Sequence, residues 1–144
     1  MSEKQPFELR DFTPYLLNQA AEATGSRFQS IYKSKYGMLR TEWRVLFHLG
    51  CYGDMTAKDI CERAGLHKTK VSRAVSALAL KRFLERHELP QDRRHERLTL
   101  TTAGHRAFED LVGDAQAFDA QLAARFSHDE LALLKKMLVQ LAHP

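Results

Sequence analysis

Apolar residues recur at helical spacing along most of this chain, and the breaks in that pattern divide it into elements. Thr13-Pro14 reads as an N-cap followed by proline at the first helical position. Leu17, Ala20, Ala21, Thr24, Phe28, Ile31 and Tyr32 then mark one face of a long helix that ends near Tyr36-Gly37. A second helix is predicted from Thr41 to a stop at Gly50, burying Trp43, Leu46, Phe47 and Leu49. A third begins at Thr56, whose side chain caps it together with Asp59, and it buries Ile60 and Cys61. After the turn Ala64-Gly65-Leu66, a fourth runs from about His67 to Ala79 with Val71, Ala74, Val75 and Leu78 inside.

The period then changes. Phe83 to Leu89 and His95 to Leu100 read as two short strands around a polar tip, Pro90-Gln91-Asp92-Arg93-Arg94. Thr101 or Thr102 caps a long helix carrying Phe108, Leu111, Ala115, Phe118 and Leu122, the spacing of a seam against another helix. Ser127-His128-Asp129-Glu130 is a capping box for a final helix with Leu131, Leu134, Leu138 and Leu141. The expectation is a mainly α chain, one domain over residues 1–144, with long helices at 11–37 and 101–142 flanking a compact lobe at 41–100.

Composition narrows the class. With 144 residues, 44% hydrophobic and 28% charged, the chain suits an ordinary folded domain. No apolar run approaches the ~20 residues of a membrane span, and Met1 to Pro6 lack a signal-peptide apolar region. Cys51 and Cys61 are too few for a disulfide framework, so a cytoplasmic protein with reduced thiols and no membrane partner is expected.

Net charge is +4, but its placement says more than its size. From Lys58 to Arg97 there are 11 basic and 6 acidic residues, whereas the rest holds 11 basic and 12 acidic. The positive excess therefore sits in the middle of the chain, which points to a polyanion partner. There, helix, glycine turn and amphipathic helix make a helix-turn-helix, in which the second helix enters the DNA major groove. Its outward face shows Lys68, Thr69, Lys70, Ser72, Arg73 and Ser76, and no acid occurs between Glu62 and Glu85. Carboxylates there would repel phosphates. Arg73 is the candidate for bidentate reading of a guanine edge, with Lys70, Thr69 and Ser72 as further contacts. A purely solvated basic face is the alternative for that helix taken alone.

At the strand tip, Asp92, Arg93 and Arg94 supply a second contact. A narrow minor groove accepts an inserted arginine, and a nearby aspartate orients it by hydrogen bonding. The alternative is an exposed turn with a weak ion pair.

Val71-Ser72-Arg73, Asp92-Arg93-Arg94 and Leu98-Thr99-Leu100-Thr101-Thr102-Ala103-Gly104 together resemble the MarR family of winged helix-turn-helix transcriptional regulators. The resemblance extends over nearly the whole chain. It implies a two-stranded wing and a homodimer joined by the N- and C-terminal helices, binding a palindromic operator in double-stranded DNA, commonly as a repressor. By motif position it places Arg73 on the recognition helix and Arg94 in the minor groove, with Asp92 steering Arg94.

The resemblance also implies release by a small aromatic or phenolic anion bound between the dimerisation helices and the DNA-binding lobe. Tyr15, Asn18, Trp43, Arg44, Phe47 and His48 are the candidates: Arg44 to pair with a carboxylate, the aromatics to stack. The alternative, which the pattern favours for any one of these residues, is that Trp43 and Phe47 are core and Arg44 is surface. Redox control through Cys51 is the competing switch, and Cys61 reads as a buried inert thiol. The seven histidines lack paired ligand spacing, so no metal or other cofactor is expected. No P-loop, dinucleotide-binding glycine motif or nucleophile elbow supports an enzyme. A helical enzyme or a protein-interaction module without DNA binding remain alternatives.

Overall fold

A computed structural model describes residues 5–143; Met1–Lys4 and Pro144, with the part of the N-terminal reading that falls on them, lie outside the described residues. After a single 3-10 turn at Leu9–Asp11 come α1 (Thr13–Tyr36), α2 (Arg40–Tyr52), β1 (Met55–Thr56), α3 (Ala57–Ala64) and α4 (Lys68–Leu80). Strands β2 (Leu84–Leu89) and β3 (Asp92–Leu100) follow, then α5 (Thr102–Ala123) and α6 (His128–Ala142). The contacts divide the chain into residues 1–40 and residues 41–144.

In the first unit the predicted cap at Thr13 is displaced by one residue. Thr13 is already helical, and the extended Phe12 (φ −76°, ψ 116°) takes the cap position without a side-chain bond. The reason is the preceding 3-10 turn, which ends on Phe12 and delivers the chain directly into α1. Phe28 and Tyr32, one turn apart, are buried with their rings edge-on at 5.5 Å. Gly37 closes the helix in the left-handed region at φ 65°, donating its N–H to Lys33 O.

The second unit is built on the helix-turn-helix. Thr56 Oγ1 accepts the Asp59 N–H at 3.2 Å, and Asp59 Oδ2 accepts the Thr56 N–H at 3.1 Å. Gly65, at φ 64°, makes the turn that follows α3. Val71, Ala74, Val75 and Leu78 of α4 are all buried as predicted, in a core shared with Ile60, Leu46, Leu49, Leu84, Leu98 and Leu111. The bonds from Thr56 hold the Asp59 carboxyl below its ordinary value. The stability this adds is present above the unfolded pKa of about 3.9 and is lost as pH falls through the depressed folded value. Asp59→Asn is therefore expected to flatten the acid limb of a thermal-unfolding series. Thr56→Ala should cost about 1 kcal/mol at neutral pH, and an unchanged midpoint for both would remove the cap from the account.

One sequence expectation fails for an instructive reason, and the sheet gains a strand that the sequence pattern does not mark. Gly50 does not stop α2, which runs on to Tyr52 and ends at Gly53, φ 88°. Gly50 instead lets α5 approach, since a Cβ there would overlap the Phe108 ring. The sheet also has three strands, in the order β1-β3-β2, because Met55 and Thr56 pair with Leu98 and Arg97.

A tight corner joins the wing to α5. Thr101 N–H donates to Phe83 O at 3.0 Å, its hydroxyl donates to Arg82 O at 2.6 Å, and it accepts the Gly104 N–H at 3.0 Å. Thr101 is thus the cap of α5. Phe83, read as the first strand residue, lies before β2 because it belongs to this corner. At the end of the chain, Ser127 and Glu130 form the predicted capping box, and the amide and hydroxyl of Ser127 lower the Glu130 pKa. Leu133, Leu134, Met137, Leu138, Val139 and Leu141 of α6 are exposed.

Candidate nucleic-acid interface

The outer face of α4 is assembled by its start signal and its buried stripe. His67 caps the helix, its Nδ1 accepting the Thr69 N–H at 3.4 Å. With Val71, Ala74, Val75 and Leu78 turned inward, Lys68, Thr69, Lys70, Ser72, Arg73 and Ser76 are all exposed, as the sequence pattern requires. The positive end of the helix dipole and the cations then add on one surface. At the other end, Lys81 Nζ lies 3.3 Å from Oε1 of the buried Glu42, so α2 holds the C-terminus of α4 by an ion pair.

The wing departs from the sequence reading in detail. The turn is only Pro90-Gln91, so Asp92, Arg93 and Arg94 belong to β3 and not to a loop. Pairing runs regularly from Leu84↔Leu100 to Glu88↔Glu96 and then jumps to Leu89↔Asp92. Arg93, Arg94 and His95 are thereby left as extra residues in an irregular bulge, a device that re-aims side chains. Asp92 does not orient Arg94 through its guanidinium. Its Oδ1 accepts the Arg94 backbone N–H at 3.0 Å, and its Oδ2 lies 3.8 Å from His95 Nε2. The carboxylate fixes the backbone of the bulge, and the Arg94 side chain is exposed.

Between α3, α4 and the wing lies a groove of about 540 Å³. Lys58, Lys68, Arg86 and Arg94 line it with Ser72 and Ser76, over apolar contributions from Val75 and Leu98. Cys61 also borders it and is half-buried, not the fully enclosed thiol expected. Arg86 was not singled out in the sequence. It donates from Nη2 to Ser76 Oγ at 2.8 Å, so Ser76 has a partner within the protein.

The residues proposed for a small ligand are dispersed over both units. On α1, Tyr15 is half-buried and Asn18 exposed. On α2, Trp43 and Phe47 are half-buried with ring centroids 5.1 Å apart, and Phe47 meets Phe108 of α5 at 5.1 Å. This aromatic row serves the packing of α2 on α5. Arg44 is half-buried; its carbonyl lies 2.6 Å from His48 Nδ1, and the His48 ring meets that of Tyr52 at 5.9 Å, tilted by 53°. Cys51 is exposed in the last turn of α2. Among the described residues, no three His, Cys, Asp or Glu side chains converge as metal ligands, and no helix is long and apolar enough to cross a membrane.

Residues 36–95 match the model of the MarR family, an interval containing the helix-turn-helix and the wing as far as the bulge. A MarR/EmrR family transcriptional regulator from Acinetobacter sp. ADP1 is 26% identical, with 94% of this chain and 96% of that chain covered at a TM-score of 0.84. Two further structures share the fold at lower identity. One is Bordetella bronchiseptica BpsR, whose DNA binding is regulated by 6-hydroxynicotinic acid (19% identity, 97% and 99% coverage, TM-score 0.88). The other is an E. coli MarR variant complexed with operator DNA (20% identity, 97% and 100% coverage, TM-score 0.82).

Proposed function

We propose that this chain, whose residues 36–95 match the MarR family model, is a MarR-family regulator: a homodimeric, sequence-specific DNA-binding protein, a repressor released from a palindromic operator by a small aromatic or phenolic ligand. The observation that carries the DNA reading is the basic groove that Lys68 of α4 and Arg86 and Arg94 of the wing line together. Lys70 and Arg73 on α4 and Arg93 in the bulge are exposed as well. Phosphate contacts from such a surface give affinity, and Arg73 and Arg94 read the major and minor grooves respectively.

The exposed apolar row of α6 supports dimerisation, because a lone chain gains nothing by leaving six large apolar side chains in water. Two copies related by a two-fold axis then place their recognition helices on half-sites one helical turn or a multiple apart. For the ligand, Arg44 is the cation to pair with a carboxylate and Trp43 and Phe47 are the rings to stack, all three half-buried on α2. A ligand that binds one dimer geometry better draws the population away from the DNA-competent one.

The test is binding to a palindromic duplex selected from a random pool, across a salt series and with a panel of aromatic acids. Affinity should fall steeply with salt, and Arg94→Ala should weaken binding by about 1–3 kcal/mol per half-site. Equal affinity for the selected palindrome and for random duplex would overturn the proposal; failure of every aromatic acid to displace the DNA would remove its ligand half.

A further inference from the structure

We propose that Arg86 is a positioning residue that sets the angle between the recognition helix and the wing through Ser76, an inference that rests on the DNA reading above. Arg86 pairs with Leu98 across the β2–β3 ladder, and Leu98 is buried. The Arg86 side chain therefore leaves the sheet on the face that covers α4. From there its Nη2 reaches Ser76 Oγ at 2.8 Å, bridging the strand and the third turn of the helix.

The bond answers a mechanical need. Apolar packing of α4 on the wing, where Val75 and Leu98 are both buried, is non-directional and tolerates small rotations. A protein reading two grooves at once needs its two reading elements held at one angle, because a small rotation moves the wing tip off its groove. A hydrogen bond donated by a guanidinium is directional and stronger than a neutral one. The remaining donors of the fork still face the groove that Lys68 and Arg94 also line. Ser76 thus acts through Arg86, and not by touching a base itself.

Ser76→Ala and Arg86→Ala, singly and together, test this on the full-length protein with a palindromic duplex selected from a random pool. Ser76→Ala removes no charge, so its salt slope should match that of the unsubstituted protein while affinity falls about fivefold. In the Arg86→Ala background the same change should cost nothing further. Hydroxyl-radical footprints of Ser76→Ala should lose protection in the minor groove under the wing and keep the major-groove contacts of α4. Ser76→Thr, which retains the hydroxyl, should restore both affinity and footprint. Equal losses from Ser76→Ala in the two backgrounds would show direct DNA contact and overturn the proposal. An unchanged wing footprint would overturn it as well. If the unsubstituted protein does not prefer the palindrome, the DNA reading itself falls and the positioning role with it.

Discussion

Arg73→Ala is expected to lower affinity for the selected palindrome by about 2–6 kcal/mol, because a bidentate arginine–guanine contact contributes about 1–3 kcal/mol and a two-fold dimer loses two. Arg73 stands on the exposed face of α4, on the opposite side from the buried Val71, Ala74, Val75 and Leu78. Its loss leaves the core untouched, so the folded protein should unfold at the same temperature. The diagnostic is the pattern and not the size of the effect. A residue that reads a base relaxes preference at one position of each half-site, whereas Lys68→Ala or Lys70→Ala should weaken all sequences alike and reduce the salt slope by about one. If Arg73→Ala instead weakened binding uniformly over every sequence, Arg73 would be another phosphate contact and the reading role would pass elsewhere on α4.

Much of this surface was legible in the sequence because local signals coincide with it. Thr56 with Asp59, Gly65 and the buried stripe of α4 each point to the same helix-turn-helix, and each stands in the fold where it was expected. What escaped detection depends on pairing between distant residues. The bulge at Arg93–His95 has no sequence mark of its own, since a polar run reads as a loop until the partner register is known. Strand β1 has two residues, too few for an alternation to register. Arg86 finds Ser76 across two elements, and one cation among many in the wing gave no reason to single it out. Gly50 was misread because a glycine that ends a helix and one that admits a neighbouring ring look alike in one dimension. The apolar row of α6 was visible, but periodicity says only that a face wants cover and not that it is left exposed within the chain.

Gly104→Ala should lower stability by about 3 kcal/mol or more, which for a chain of this size shifts the unfolding midpoint by roughly 6–12 °C. Gly104 is buried in the first turn of α5, and a Cβ built on it would lie well inside contact distance of the carbonyl oxygen of Phe83. That carbonyl is backbone held from several sides. It accepts the Thr101 N–H, while the Phe83 N–H donates to Leu78 O at the end of α4. Arg82 before it already sits at φ 61°, a conformation costly for a residue with a Cβ. The corner therefore has no soft coordinate along which to yield, and relief requires α5 to lift from the wing. Because the corner anchors β2 and β3 at the base of the wing, the same substitution should weaken palindrome binding more than non-specific binding. Arg82→Gly offers the counter-test: it removes the left-handed strain and should leave the corner as stable or slightly more so. If Gly104→Ala melted with the unsubstituted protein, the close approach of α5 to Phe83 would not exist in solution, and the wing would need another anchor.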